Sequence, residues 1–188
     1  MSSNFFTLYA GKIQVFIQGK TRFDFKQALE KLEKALPGYF LMQGIDIIYV
    51  GEFEDLRERD LNAAYADGAI YVLPEQSSEQ DFLDDIVHEV AHSLEERFTD
   101  FIYGDGKIQQ EYKEKYLKLI GLMGKQAQIA IPEKFLKTVP FEYDPEWDEF
   151  LYQTVGYDIL HILTPGLFAS PYGATSLREY WANAFEHF

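Results

Sequence analysis

Two histidines one helical turn apart, with a glutamate directly after the first, have the clearest capacity for chemistry in this chain. They are His88, Glu89 and His92, in the stretch DDIVHEVAHSLEERF that runs from Asp84 to Phe98. Spacing of i, i+4 puts both imidazoles on one side of a helix, and the rigid backbone fixes the angle between them, as two ligands of a tetrahedral zinc ion require. Glu89 falls beside the pair, where it can act on a water without ligating the ion. Zinc lowers the pKa of a water it holds to about 7, and the carboxylate takes the proton as that water attacks a carbonyl. This is the division of labour in H-E-x-x-H. The plain alternative is an acidic, solvated helix face on which the histidines pair with Asp81, Asp85 or Glu95.

The element that must hold these side chains reads as a helix that starts after Ser77 or Ser78, with Glu79 and Asp81 near its positive end. Phe82, Leu83, Ile86, Val87, Val90, Ala91, Leu94 and Phe98 share its apolar face, and the histidines are expected about 160° from the centre of that stripe, pointing away from the core. A hydrolytic site with one open position needs a third protein ligand. The candidates are Glu95, Glu96, His161, Glu179 and His187. Glu95 shares the helix and closes the site poorly. His161 sits among apolar residues in DILHILTP and reads as a partly buried structural histidine. His187 lies at the very end of the sequence.

Glu179 lies in SPYGATSLREYWANAFEHF. This stretch resembles the closing segment of the anthrax-toxin lethal factor catalytic domain and of the clostridial Pro-Pro endopeptidases, gluzincin-type zinc peptidases that pair H-E-x-x-H with a later E-[FY]-[FW]-A-x-x-F helix. Here Glu179-Tyr180-Trp181-Ala182 and Phe185 fit that form, and Tyr172 stands seven residues before Glu179. The resemblance implies a zincin-like fold, Zn2+ held by His88, His92 and Glu179, Glu89 as general base, and Tyr172 as the donor that stabilises the oxyanion. It also implies a peptide or protein substrate, cut by a zinc-dependent endopeptidase. The sequence departs from the family in three ways. The interval between His92 and Glu179 is long, so residues 104–171 read as a family-divergent insertion that reshapes the cleft. Asn183 stands where relatives carry a second Glu. The family members are secreted, whereas MSSNFFTLYAGKIQVFIQGK has no basic stretch followed by an apolar core, which points to the cytoplasm. The metzincin continuation is also missing, with Glu95 and Phe98 where that motif needs Gly and His. Two local alternatives stand beside these roles: Ser176 to Glu179 forms a capping-box sequence, and Tyr172 can be a turn residue in Pro-Tyr-Gly.

The rest of the chain supplies a scaffold. At 188 residues it reads as a single domain, residues 1–188. GKIQVFI, IDIIYVGEF and DGAIYVLP read as strands, and TRFDFKQALEKLEKAL reads as a helix stopped at Pro37–Gly38. Further helices are expected at 109–121, at 146–163 and near the C-terminus. The fold class is α+β, one small mixed sheet packed on several helices. Gly68, Ala69, Ile70 and Tyr71, in the strand before the histidine helix, are candidates to bind substrate by backbone pairing at a sheet edge. The alternative is that this strand is simply paired within the sheet. A formal charge of −14 argues against nucleic acid as a partner. The apolar runs are too short to cross a membrane. With no cysteine, thiolate metal sites and disulfides are excluded. The rival reading of function is a non-catalytic protein-interaction module on a peptidase-like scaffold.

Overall fold

Alternation of apolar and polar residues in IQVFIQ buries Ile13, Val15 and Ile17 on one side of a strand and leaves the residues between them outside. In the computed structural model, which describes residues 3–19, 22–36, 42–59 and 61–187, this strand is β2 (Ile13–Gln18). It pairs antiparallel with β1 (Ser3–Leu8) and parallel with β3 (Ile47–Val50). The remaining strands, β4 (Ala63–Ala66) and β5 (Ala69–Val72), form a hairpin, and the five-stranded mixed sheet has the order β1-β2-β3-β5-β4. Asp67 and Gly68, with φ of 48° and 82°, make the two-residue turn of that hairpin. Positive φ at both positions gives the primed turn whose twist suits two antiparallel strands.

The sheet register sorts its side chains onto two faces. Val15, Ile48 and Ile70 are cross-strand neighbours, as are Ile17, Val50 and Val72, and all are buried. Buried with them are Phe25, Ala28, Leu29 and Leu32 of α1 (Phe25–Ala35) and Phe82, Ile86, Val90, Ala91 and Leu94 of α3 (Glu79–Tyr103). Phe25 stacks on Phe82 with ring centroids 4.3 Å apart, joining the two helices. Asp24 caps α1 by accepting from the Gln27 N–H; the expected Pro37–Gly38 stop lies outside the described residues. The other sheet face carries a row of rings, Phe5, Phe16, Tyr49 and Tyr71, each against the next. A short helix, α2 (Glu54–Glu58), lies between β3 and β4.

The chain divides into two compact units, residues 1–97 and 98–188, and the passage between them falls inside α3 at Phe98, whose φ of −120° and ψ of 26° are not helical. The second unit is helical. Tyr112, Tyr116, Leu119 and Met123 form the buried stripe of α4 (Lys107–Lys125). They share a largely aromatic core with Phe135 of α5 (Glu133–Lys137) and Trp147 of α6 (Pro145–Glu149). Leu160 and Leu163 of α7 (Tyr157–Leu163) and Leu177 and Tyr180 of α8 (Leu177–Glu186) complete it. The helix expected over 146–163 is interrupted. Its middle, Phe150–Val155, is a π-helical stretch, and Gly156 at φ 82° separates it from α7. A glycine reaches that conformation without the clash a Cβ would create, so the chain turns there. The fold is mixed α+β, and no helix among the described residues is long and apolar enough to cross a membrane.

Candidate metal centre

The first part of the centre is built on α3. Its apolar stripe fixes the helix rotation, and this brings His88 and His92 to a common side with ring centroids 4.9 Å apart, edge to face. The pair is not on an open surface as the helix period alone suggests: the His92 side chain is only 12% exposed. His92 Nδ1 lies 3.4 Å from Glu95 Oε2. Glu89 is buried, and its Oε2 accepts a 2.7 Å hydrogen bond from the backbone N–H of Tyr65 on β4. A buried carboxylate needs such donors to remain ionised without a large desolvation cost.

The second part is built on α8 and the turn before it. Ser176 caps α8 by accepting from the Glu179 N–H at 3.2 Å, which places Glu179 in the first turn. Tyr172 sits in a single 3-10 turn, Pro171–Ala174. That turn is bolted to the aromatic core beneath it: Trp147 Nε1–H and the Tyr112 hydroxyl both donate to the Ala174 carbonyl, at 3.0 and 3.2 Å. Thr175 Oγ1 donates to the Tyr172 carbonyl, and the Leu177 N–H to that of Phe141. Asn183, one turn after Glu179 on α8 and buried, accepts from the Ser170 N–H at 2.8 Å. Gly173 runs so close to this amide that a Cβ there would lie 3.1 Å from Asn183 Oδ1. Residues 104–171 therefore supply much of the core that fixes the segment carrying Tyr172 and Glu179.

Among the described residues one group of three side chains is suited to hold a metal ion: His88, His92 and Glu179, each offering one ligand atom, all within 4.8 Å of one another. The other third-ligand candidates are placed differently. Glu96 is exposed, and Glu95 faces His92. His161 is exposed on α7, not partly buried as its apolar neighbours in sequence suggest, because only Leu160 and Leu163 of those neighbours face the core while Ile159 and Ile162 are exposed with it. His187 Nδ1 lies 2.9 Å from the Asn183 carbonyl at the end of α8.

The strand expected to offer a free edge is corrected by the sheet. Ala69, Ile70 and Tyr71 lie on β5, which is hydrogen-bonded to β3 on one side and β4 on the other. Ala69 and Ile70 are buried, Tyr71 is stacked on Tyr49, and Gly68 is the second residue of the hairpin turn. These four residues offer no open backbone edge. The end strand on this side of the sheet is β4, a strand the sequence reading missed although Asp67–Gly68 is a strong hairpin signal. Two further residues matter here: Glu95, already one of the carboxylates the sequence offered as a partner for the histidines, lies beside His92 Nδ1, and Asn183 was passed over as the clamp on the Tyr172 turn. A clue was present in each case, a carboxylate three residues after a histidine and an amide four residues after Glu179.

No protein-family model, curated protein or solved structure matches this chain. What it does must be read from its own side chains.

Proposed function

We propose that this protein is a zinc-dependent endopeptidase with a zincin-like catalytic arrangement. The observation that carries the reading is the meeting of His88, His92 and Glu179, whose ligand atoms fall within 4.8 Å of one another although they come from distant parts of the sequence. Two imidazoles and one carboxylate are a donor set suited to hydrolytic zinc. When bound, zinc supplies Lewis acidity and a water acidic enough to be deprotonated near neutral pH.

The remaining roles belong to the chain. Glu89 is the general base: with one carboxylate oxygen held by the Tyr65 N–H, the other takes the proton of the attacking water and later passes it to the leaving amine. Tyr172 donates its phenolic hydrogen to the carbonyl oxygen as negative charge develops there, an interaction made in the transition state and not before. The turn that carries it is held from both sides, by Asn183 and by the Trp147–Tyr112 pair, which limits the cost of aiming the hydroxyl. An extended substrate segment adds along β4, the end strand whose Tyr65 contacts the general base.

The test joins metal analysis to cleavage profiling with a diverse peptide library. Zinc at about one ion per chain is expected. Glu89→Gln should retain the zinc and lose at least ~100-fold in cleavage rate. A wild-type chain that holds zinc but cuts no peptide would instead mark a non-catalytic interaction module.

A further inference from the structure

Glu95 is a buried carboxylate that the catalytic roles above leave without a task. It is 5% exposed, and its Oε2 lies 3.4 Å from His92 Nδ1. An ionised carboxylate is costly to bury unless a polar partner offsets the lost water. The i, i+3 relation on α3 puts these two groups side by side whether or not an ion is present.

We propose that Glu95 is a positioning residue for the metal centre, a role that rests on the zinc reading of His88, His92 and Glu179. Glu95 accepts the Nδ1–H of His92. A neutral imidazole with its hydrogen on Nδ1 keeps its lone pair on Nε2, so the contact selects one tautomer and aims that nitrogen for ligation. It also turns the ring about χ2 and raises the basicity of the ligating nitrogen, as carboxylates behind metal-bound histidines do. Helix α3 thus carries four residues in one arrangement: two ligands, a base, and the group that orients the second ligand.

The experiment uses the full chain and zinc itself. Zinc affinity is measured by competition with a chromophoric chelator for wild type, Glu95→Gln, Glu95→Ala and His92→Ala. The metal-free proteins are compared by thermal melting and by the nitrogen chemical shifts of the His92 ring. Wild type should show His92 mainly as the Nδ1–H tautomer. Glu95→Ala should bind zinc about 10- to 100-fold more weakly and shift the ring toward the Nε2–H form. Glu95→Gln, which keeps an acceptor oxygen without the charge, should fall between the two and carries the test if the alanine variant does not fold. Wild-type affinity in Glu95→Ala, in a series where His92→Ala abolishes binding, would overturn the proposal and leave the zinc reading intact. So would an unchanged tautomer in a variant whose metal-free form is destabilised, since that marks a structural role alone. If wild type takes up no zinc, the reading beneath the proposal fails and Glu95 has no such role.

Discussion

At the scale of single residues, the proposed chemistry divides between groups that touch the reacting atoms and groups that hold them. Tyr172 belongs to the first kind and Asn183 to the second. Removing only the phenolic oxygen should separate them. Tyr172→Phe keeps the ring, and the turn around it is fixed by the Ala174, Thr175 and Ser170 hydrogen bonds. The expected result is a fall in kcat of about 100- to 1,000-fold, the usual effect of losing one oxyanion donor. Zinc affinity should be unchanged, as read by the same chelator competition. Equal activity in the two proteins would mean that Tyr172 serves the turn and not the reaction. Glu89 and Glu95 make the same point about context, because both are acidic side chains one or three residues from a histidine. One bonds an amide of β4 and the other faces an imidazole, and those neighbours decide the role.

At the scale of elements, the segment between α5 and α8 shows how local breaks serve the packing. Phe150, Leu151 and Val155 are buried on one side of Gly156, and Leu160 and Leu163 on the other. A continuous helix over this stretch would have to keep a single apolar face, whereas the π-helical stretch and the glycine let both sets reach the same core. Gly156 has nothing within 4 Å of where a Cβ would stand, so a substitution there meets no wall. Its cost is conformational, since φ is 82°. Gly156→Ala is expected to destabilise the protein by about 1–3 kcal/mol, the usual range for a non-glycine residue held in a strained backbone region. Urea denaturation of the two proteins checks this. An unchanged midpoint would show that the helices can rejoin without strain.

At the scale of the whole molecule, the second unit is held by phenols buried so deeply that their ionisation becomes a stability question. Burial raises the pKa of Tyr112 well above that of an ordinary tyrosine, and the same cause raises Tyr116. Both hydroxyls donate to backbone carbonyls, Tyr112 to Pro140 and Ala174, Tyr116 to Phe135. Above pH of about 10 the unfolded chain releases these protons while the folded chain keeps them. The folded state then binds more protons than the unfolded state, so stability falls as pH rises. The contribution is complete below that pH and is lost progressively above it. Melting temperatures measured from pH 7 to 11 should decline most steeply beyond pH 10, and Tyr112→Phe should flatten that limb. An identical alkaline slope in the variant would place the ionisation elsewhere.

The sequence by itself determined whatever depends on neighbours a few residues apart. The apolar stripe of α3 sets which side His88 and His92 share, Ser176 starts α8, and alternation in IQVFIQ sets the buried side of β2. These follow from the repeat of a helix or a strand and from caps that act within one turn. Tertiary structure alone decided which strands end the sheet, that the Tyr65 amide finds Glu89 as its acceptor, and how Glu179 comes to stand with the two histidines. It also gave residues 104–171 their task of holding the Tyr172 turn, and it left His161 outside while drawing Asn183 in. The physical reason is range. A period or a cap is written in adjacent residues, whereas strand order, burial and ligand convergence depend on which distant surfaces pack together, and no single window of the chain contains both partners.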